Sequence, residues 1–294
     1  MKILCVILSA GLLGSTGGVV RGQSLEAPLL ECDGLPCVDV ATPKGTVRLA
    51  IDLGDPPSFM DEDAARRLGA TLVPVVGPDG KPYPGYSRAA LSDLKVGPDT
   101  LAAVNFVTEN MKKMVADGEM PHVDGSLGYA AFKDSVLRLD YLHHRMTVSP
   151  AAAAGQTCKE SKVSLVHFGE KGPPIVVATG FEVNGKPVTA QVDTLYSGTM
   201  LIYPTSVAKL GLEAESKSTV AETFPYTDGS VEMMRAKAKT VRFGGRALEK
   251  DGALYFAGPK VHLPGDVFDA TVGDALLRGH VLTVDFRSMC LTLE

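Results

Sequence analysis

Residues 41–69, ATPKGTVRLAIDLGDPPSFMDEDAARRLG, and residues 180–211, GFEVNGKPVTAQVDTLYSGTMLIYPTSVAKLG, are two versions of one pattern. In each, a turn (Pro43-Lys44-Gly45 or Asn184-Gly185-Lys186) leads into an alternating apolar run that ends in an aspartate, Asp52 or Asp193. A short loop follows, then a helix-like stretch that closes on Leu68-Gly69 or Leu210-Gly211. A second matched pair lies downstream, where LGYAAFKDSVLRLDYLHHRMTV (127–148) aligns without a gap on VGDALLRGHVLTVDFRSMCLTL (272–293). Gly128, Ala130, Val136, Leu137, Asp140 and Thr147 then fall on Gly273, Ala275, Val281, Leu282, Asp285 and Thr292. One aspartate after a strand is ordinarily a turn cap. Two in matched lobes imply a single site at the junction.

A chain of 294 residues with this repeat divides into two lobes of ordinary domain size. The predicted layout is a signal peptide over 1–22, an N-terminal segment over 23–37, a first lobe over 38–150, a linker over 151–161 and a second lobe over 162–294. Hydrophobic residues make up 45% of the chain, enough for a core in each lobe. Trp is absent and Gly 31 and Pro 19 make the chain turn-rich, as many short strands require.

Lys2, an apolar run from Ile3 to Leu13 and small residues up to Gly22 form the layout of a cleavable secretory signal. The run is too short for a membrane anchor. The expected destination is therefore secreted or periplasmic. Without Lys2 and Arg21 the 29 basic residues fall to 27 against 34 acidic, a net charge of −7. That balance argues against nucleic acid and anionic membranes as partners. Four cysteines remain after removal of the leader, and an even count in an exported chain favours disulfides. Of three possible pairings, Cys32 with Cys37 closes a small loop, and Cys158 with Cys290 ties the entry of the second lobe to its last strand.

Alternating runs at 47–51, 101–108, 136–139, 175–178, 188–192, 239–243 and 281–284 have strand periodicity. Helices are predicted over 59–68, after Ser58, and over 203–210, with Pro204 in the first turn. Residues 109–118 read as a surface turn.

The chain resembles the aspartic peptidase superfamily, in particular bacterial exported proteins with two retropepsin-like lobes on one chain. The likeness rests on Ile51-Asp52-Leu53-Gly54, on Val192-Asp193-Thr194-Leu195-Tyr196-Ser197-Gly198-Thr199, on the helix ending in Leu-Gly, and on Ser126-Leu127-Gly128 and Thr271-Val272-Gly273. It covers nearly all of residues 38–294. It implies an all-β, bilobal, pepsin-like fold of two β-barrel lobes with a few short helices. It also implies a catalytic pair, Asp52 and Asp193, that shares a proton and holds the attacking water. Gly54 and Thr194 would support the Asp loops, and Gly128 and Gly273 would let the crossing strands approach closely. A flap would fall in 77–88, with Tyr83 or Tyr86, or in 225–235, with Tyr226.

Three residues depart from the family pattern of Asp-Thr-Gly or Asp-Ser-Gly. Leu53 has no hydroxyl to lock the loops together, Leu195 stands where Gly is expected, and Asp55 adds a third carboxylate that raises the pair's pKa values by repulsion. Pro56 and Pro57 remove two donors from the same loop. Asp140 and Asp285 also repeat, but each sits within a strand before a turn and reads as structural. His143 and His144 are adjacent, so on a strand they point apart and cannot share a metal ion. No His-Glu-x-x-His, Gly-x-Ser-x-Gly or P-loop pattern occurs, so neither metal nor cofactor is implied. Two readings follow. One is a monomeric aspartic-type endopeptidase acting on extended peptide or protein substrates; the other is a degenerate relative that binds peptide or protein between the lobes without cutting it.

Overall fold

The structure, a computed structural model, describes residues 24–77, 79–97, 99–101, 103–111, 121–150, 158, 161–167, 174–215, 219–223, 230–257 and 268–294. Two sheets organise it. A ten-stranded sheet is built only from first-lobe strands, among them Leu35–Thr42, Gly45–Ile51, Ser58–Asp61, Pro82–Leu91, Val104–Glu109 and Gly125–Leu127. A thirteen-stranded sheet holds the second-lobe strands and, at one end, Leu25–Pro28, Ser135–Asp140 and Arg145–Pro150 of the first.

The lobes meet through the matched segments themselves. Ser135–Asp140 runs antiparallel to Val281–Asp285, with Val136 opposite Asp285, Arg138 opposite Thr283 and Asp140 opposite Val281. Arg138 thus faces the residue with which it aligns in sequence. Across the same junction the Tyr129 and Phe286 rings meet edge to face, with centroids 5.3 Å apart.

The strand pattern buries one face as its period-two sequence dictates. In Gly45–Ile51, Val47, Leu49 and Ile51 are inside with Arg48 outside. In Lys186–Val192, Val188, Ala190 and Val192 are inside. The central core joins these to Phe106, Phe132, Phe181 and Phe243, each side chain fully buried. Burial of a side chain of this size stabilises by about 1.5–3 kcal/mol.

Several boundaries differ from the sequence reading. Residues 24–37 are woven into the fold, because Leu25–Pro28 pairs with Arg145–Pro150 and buries Leu25 and Ala27 while Glu26 and Pro28 face out. The helix expected over 59–68 is shorter, Glu62–Arg67. Ser58–Asp61 is instead a strand, parallel to Val104–Glu109 and antiparallel to Gly125–Leu127, so sheet pairing overrides local propensity. The cap is Asp61, whose Oδ1 accepts from the Ala64 N–H at 3.1 Å, rather than Ser58. Helix Pro204–Leu210 begins on its proline and stops at Gly211, which takes the left-handed conformation at φ 64°. The run 101–108 is split between Asp99–Leu101 and Val104–Glu109.

Disulfides join Cys32 to Cys37 and Cys158 to Cys290. No helix among the described residues is long and apolar enough to cross a membrane. The signal segment 1–22 and nearly all of the linker lie outside the described residues.

Candidate active site

Asp52 and Asp193 leave their strands in the same way. The Asp52 N–H donates to the Leu127 carbonyl and the Asp193 N–H to the Val272 carbonyl, each at 2.9 Å. Gly125–Leu127 runs parallel to Gly45–Ile51, and Ala270–Val272 parallel to Lys186–Val192, so each crossing strand ends beside an Asp loop. Gly128 and Gly273 follow directly. A methyl group at Gly128 would fall 2.1 Å from the Pro57 carbonyl oxygen, and one at Gly273 would fall 2.2 Å from that of Gly198. Only hydrogen in place of a side chain permits this approach.

The carboxylates are held alike. Oδ1 of Asp52 accepts from the N–H groups of Gly54 and Asp55, both at 3.0 Å. Oδ1 of Asp193 accepts from Leu195 at 2.9 Å and Tyr196 at 3.1 Å. Leu195, standing where Gly was expected, therefore still brings its N–H to the carboxylate. The two loops are also in contact. A methyl group at Gly54 would lie 2.4 Å from Cγ of Asp193, so the bare Gly54 backbone forms the wall against which the Asp193 carboxylate rests.

Thr194 fastens the loops together from one side. Its buried Oγ1 accepts from the Leu53 N–H at 3.0 Å and donates to the Ile51 carbonyl. Leu53 is wholly buried and aliphatic, so it cannot return the contact. Gln191 supplies a second crossing bond, its Nε2 donating to the Gly54 carbonyl at 2.9 Å.

The electrostatics are one-signed. Burial, then the charges of Asp55 and Asp193, push Asp52 well above the usual carboxylate range, against the pull of the Asp55 and Gly54 N–H groups. Burial raises Asp193 against the N–H bonds of Leu195 and Tyr196. Asp55, half-buried, is pushed up to about 7 by burial, then by Asp193 and Glu109. Among the described residues, no cation figures in the groups acting on the three. Carboxyls placed this way keep protons that exposed aspartates would release.

Of the flap candidates, strands Leu72–Val76 and Pro82–Leu91 form an antiparallel hairpin turning at Gly77–Lys81. The Tyr83 ring packs on Gly77 of its own hairpin. Tyr86 is half-buried, and burial, then the charge of Glu109, raises its hydroxyl above the usual range. Tyr226 lies outside the described residues. Asp140 and Asp285 cap turns, Asp140 accepting from the His143 N–H and Asp285 from those of Arg287 and Ser288. Among the described residues no cluster of three or more His, Cys, Asp or Glu is placed to hold a metal ion.

The sequence reading missed Gln191, Thr271, Tyr203 and Glu109. A signal existed for Gln191, which stands two residues before Asp193 and so shares its strand face.

Solved structures with the same course of chain include the aspartic proteinase from Irpex lacteus, at TM-score 0.51 and 11% identity, over 92% of this chain and 97% of that one. The fold is that of the pepsin-like aspartic proteinases. Conglutin gamma, a basic 7S globulin from lupine seeds, shares it at TM-score 0.50 and 11% identity, over 93% of this chain and 95% of that one. At such identity the likeness concerns the fold alone. No protein-family model matches the chain, and no curated protein matches its sequence.

Proposed function

We propose that the chain is an exported, monomeric aspartic-type endopeptidase that hydrolyses extended peptides with a water held between Asp52 and Asp193. The observation that carries this reading is the equivalence of the two carboxyls. Each is pinned through Oδ1 by two backbone N–H groups, and Asp193 rests against the loop that bears Asp52. In the reaction the ionised member takes a proton from water, the resulting oxygen attacks the peptide carbonyl carbon, and the protonated member gives its proton to the carbonyl oxygen. Collapse of the diol breaks the C–N bond as a proton passes to the leaving nitrogen. Export agrees with the leader-like residues 1–22 and with two disulfides, which persist in oxidising compartments.

A second reading, peptide or protein binding between the lobes without hydrolysis, draws on Leu53 and Asp55. Leu53 removes one hydroxyl from the lock, and Asp55 crowds a third carboxyl into the site. The same fold serves a proteinase and a seed globulin, so the fold does not choose between the readings.

The test is to incubate protein lacking residues 1–22 with a mixed peptide library from acidic to neutral pH. Asp52→Asn and Asp193→Asn should each abolish cleavage and leave the fold intact. Full rate in either variant refutes the pairing, whereas peptide binding without cleavage by the unmodified protein establishes the second reading.

A further inference from the structure

Thr194 crosses from the second lobe to the first, but its counterpart Leu53 has nothing to offer in return. An arrangement fastened at one point would let the Gly54 peptide swing, and with it the wall behind Asp193. We propose that Gln191 is the missing half of the lock, a positioning residue that holds the Asp52 loop against the Asp193 loop. The proposal rests on the reading of these two aspartates as the working pair.

The geometry is a relay. The Tyr203 hydroxyl lies 3.1 Å from Thr271 Oγ1, with both residues buried. Thr271 Oγ1 in turn donates to Gln191 Oε1 at 3.5 Å, and Gln191 Nε2 donates to the Gly54 carbonyl at 2.9 Å. A backbone carbonyl only accepts, so the amide must turn its NH2 toward Gly54. This leaves Oε1 for the threonine hydroxyl. The chain of bonds thus fixes the amide orientation and the reach of the side chain together. Gly54 is then gripped on both sides, its N–H by Asp52 and its carbonyl by Gln191.

Among the described residues, the first lobe has no such relay. Ala50 stands two residues before Asp52, where Gln191 stands before Asp193. Ser126, aligned with Thr271, is fully buried, and its hydroxyl has no partner among the described residues. The loss of a hydroxyl at Leu53 and the presence of Gln191, Thr271 and Tyr203 are therefore complementary features of one lopsided lock.

Gln191→Leu removes the amide at nearly constant volume on a half-buried strand position. Two measurements decide. Amide hydrogen exchange should accelerate about fivefold at Leu53, Gly54 and Asp55, the factor set by one net hydrogen bond, with strands Ser135–Asp140 and Val281–Asp285 unchanged. Hydrolysis of an internally quenched mixed peptide library should show a lower kcat at steady KM. Unchanged exchange at the three amides, or acceleration spread evenly over the first lobe, overturns the proposal. So does a faster variant, which would make Gln191 a plug. If the unmodified protein cleaves nothing, the endopeptidase reading fails alone, and the exchange measurement still decides the role of Gln191.

Discussion

Replacing Thr194 with valine keeps the shape of the side chain and deletes its hydroxyl. The Leu53 N–H and the Ile51 carbonyl then lose their partner where Thr194, Leu53 and Ile51 are all fully buried. An unpaired buried polar group costs about 1–3 kcal/mol, so the two together should cost about 2–6 kcal/mol. That is a large share of the roughly 5–15 kcal/mol that holds a domain folded. With a urea dependence of about 3 kcal/mol per molar, the unfolding midpoint should fall by about 1–2 M. Thr194→Ser is the control, since it keeps the hydroxyl and gives up one methyl group, at about 1 kcal/mol. Equilibrium urea unfolding of the three proteins at one pH is sufficient. If valine proves no more costly than serine, the hydroxyl is not what joins the loops and the reasoning about the lock is wrong.

Asp55 gives a pH-dependent prediction. Its folded value of about 7 lies above the unfolded value of about 3.9. Between those limits the folded chain keeps a proton that the unfolded chain has released, so stability falls as pH rises from about 4 through about 7. Asp55→Asn should therefore raise Tm above pH 7 and change it little below about pH 4; a gain equal at both ends contradicts this origin. Gly128→Ala and Gly273→Ala drive a methyl group into backbone carbonyls and should each cost about 3 kcal/mol, or about 5 °C in Tm for a body of this size melting as one unit. Thermal unfolding near that of the parent would show that the crossing strands have room to yield.

The bilobal all-β fold was legible because its strongest signals are local. Val47, Leu49 and Ile51, and Val188, Ala190 and Val192, alternate cleanly, and Asn184-Gly185 and Gly211 mark their turns. The matched aspartates pointed to the junction for the same reason. What the sequence did not disclose depends on distant partners. Phe59–Asp61 looked like the start of a helix because Asp61, Glu62 and Asp63 suit a first turn, yet two strands from elsewhere in the chain claim Ser58–Asp61. Leu25–Pro28 is short and ends in proline, and only Arg145–Pro150 makes it a strand. Leu195 stands where Gly was expected, but its backbone reaches the carboxylate whatever its side chain. Gln191 is a single polar residue in a strand, and its meaning depends on Gly54, 137 positions away.

The thirteen-stranded sheet draws on both halves of the chain. Neither half can complete its own hydrogen bonding without the strand contributed by the other, and the pair centred on Arg138 and Thr283 is stitched into both. Denaturation should accordingly proceed as a single concerted melting of the entire body rather than as two successive events.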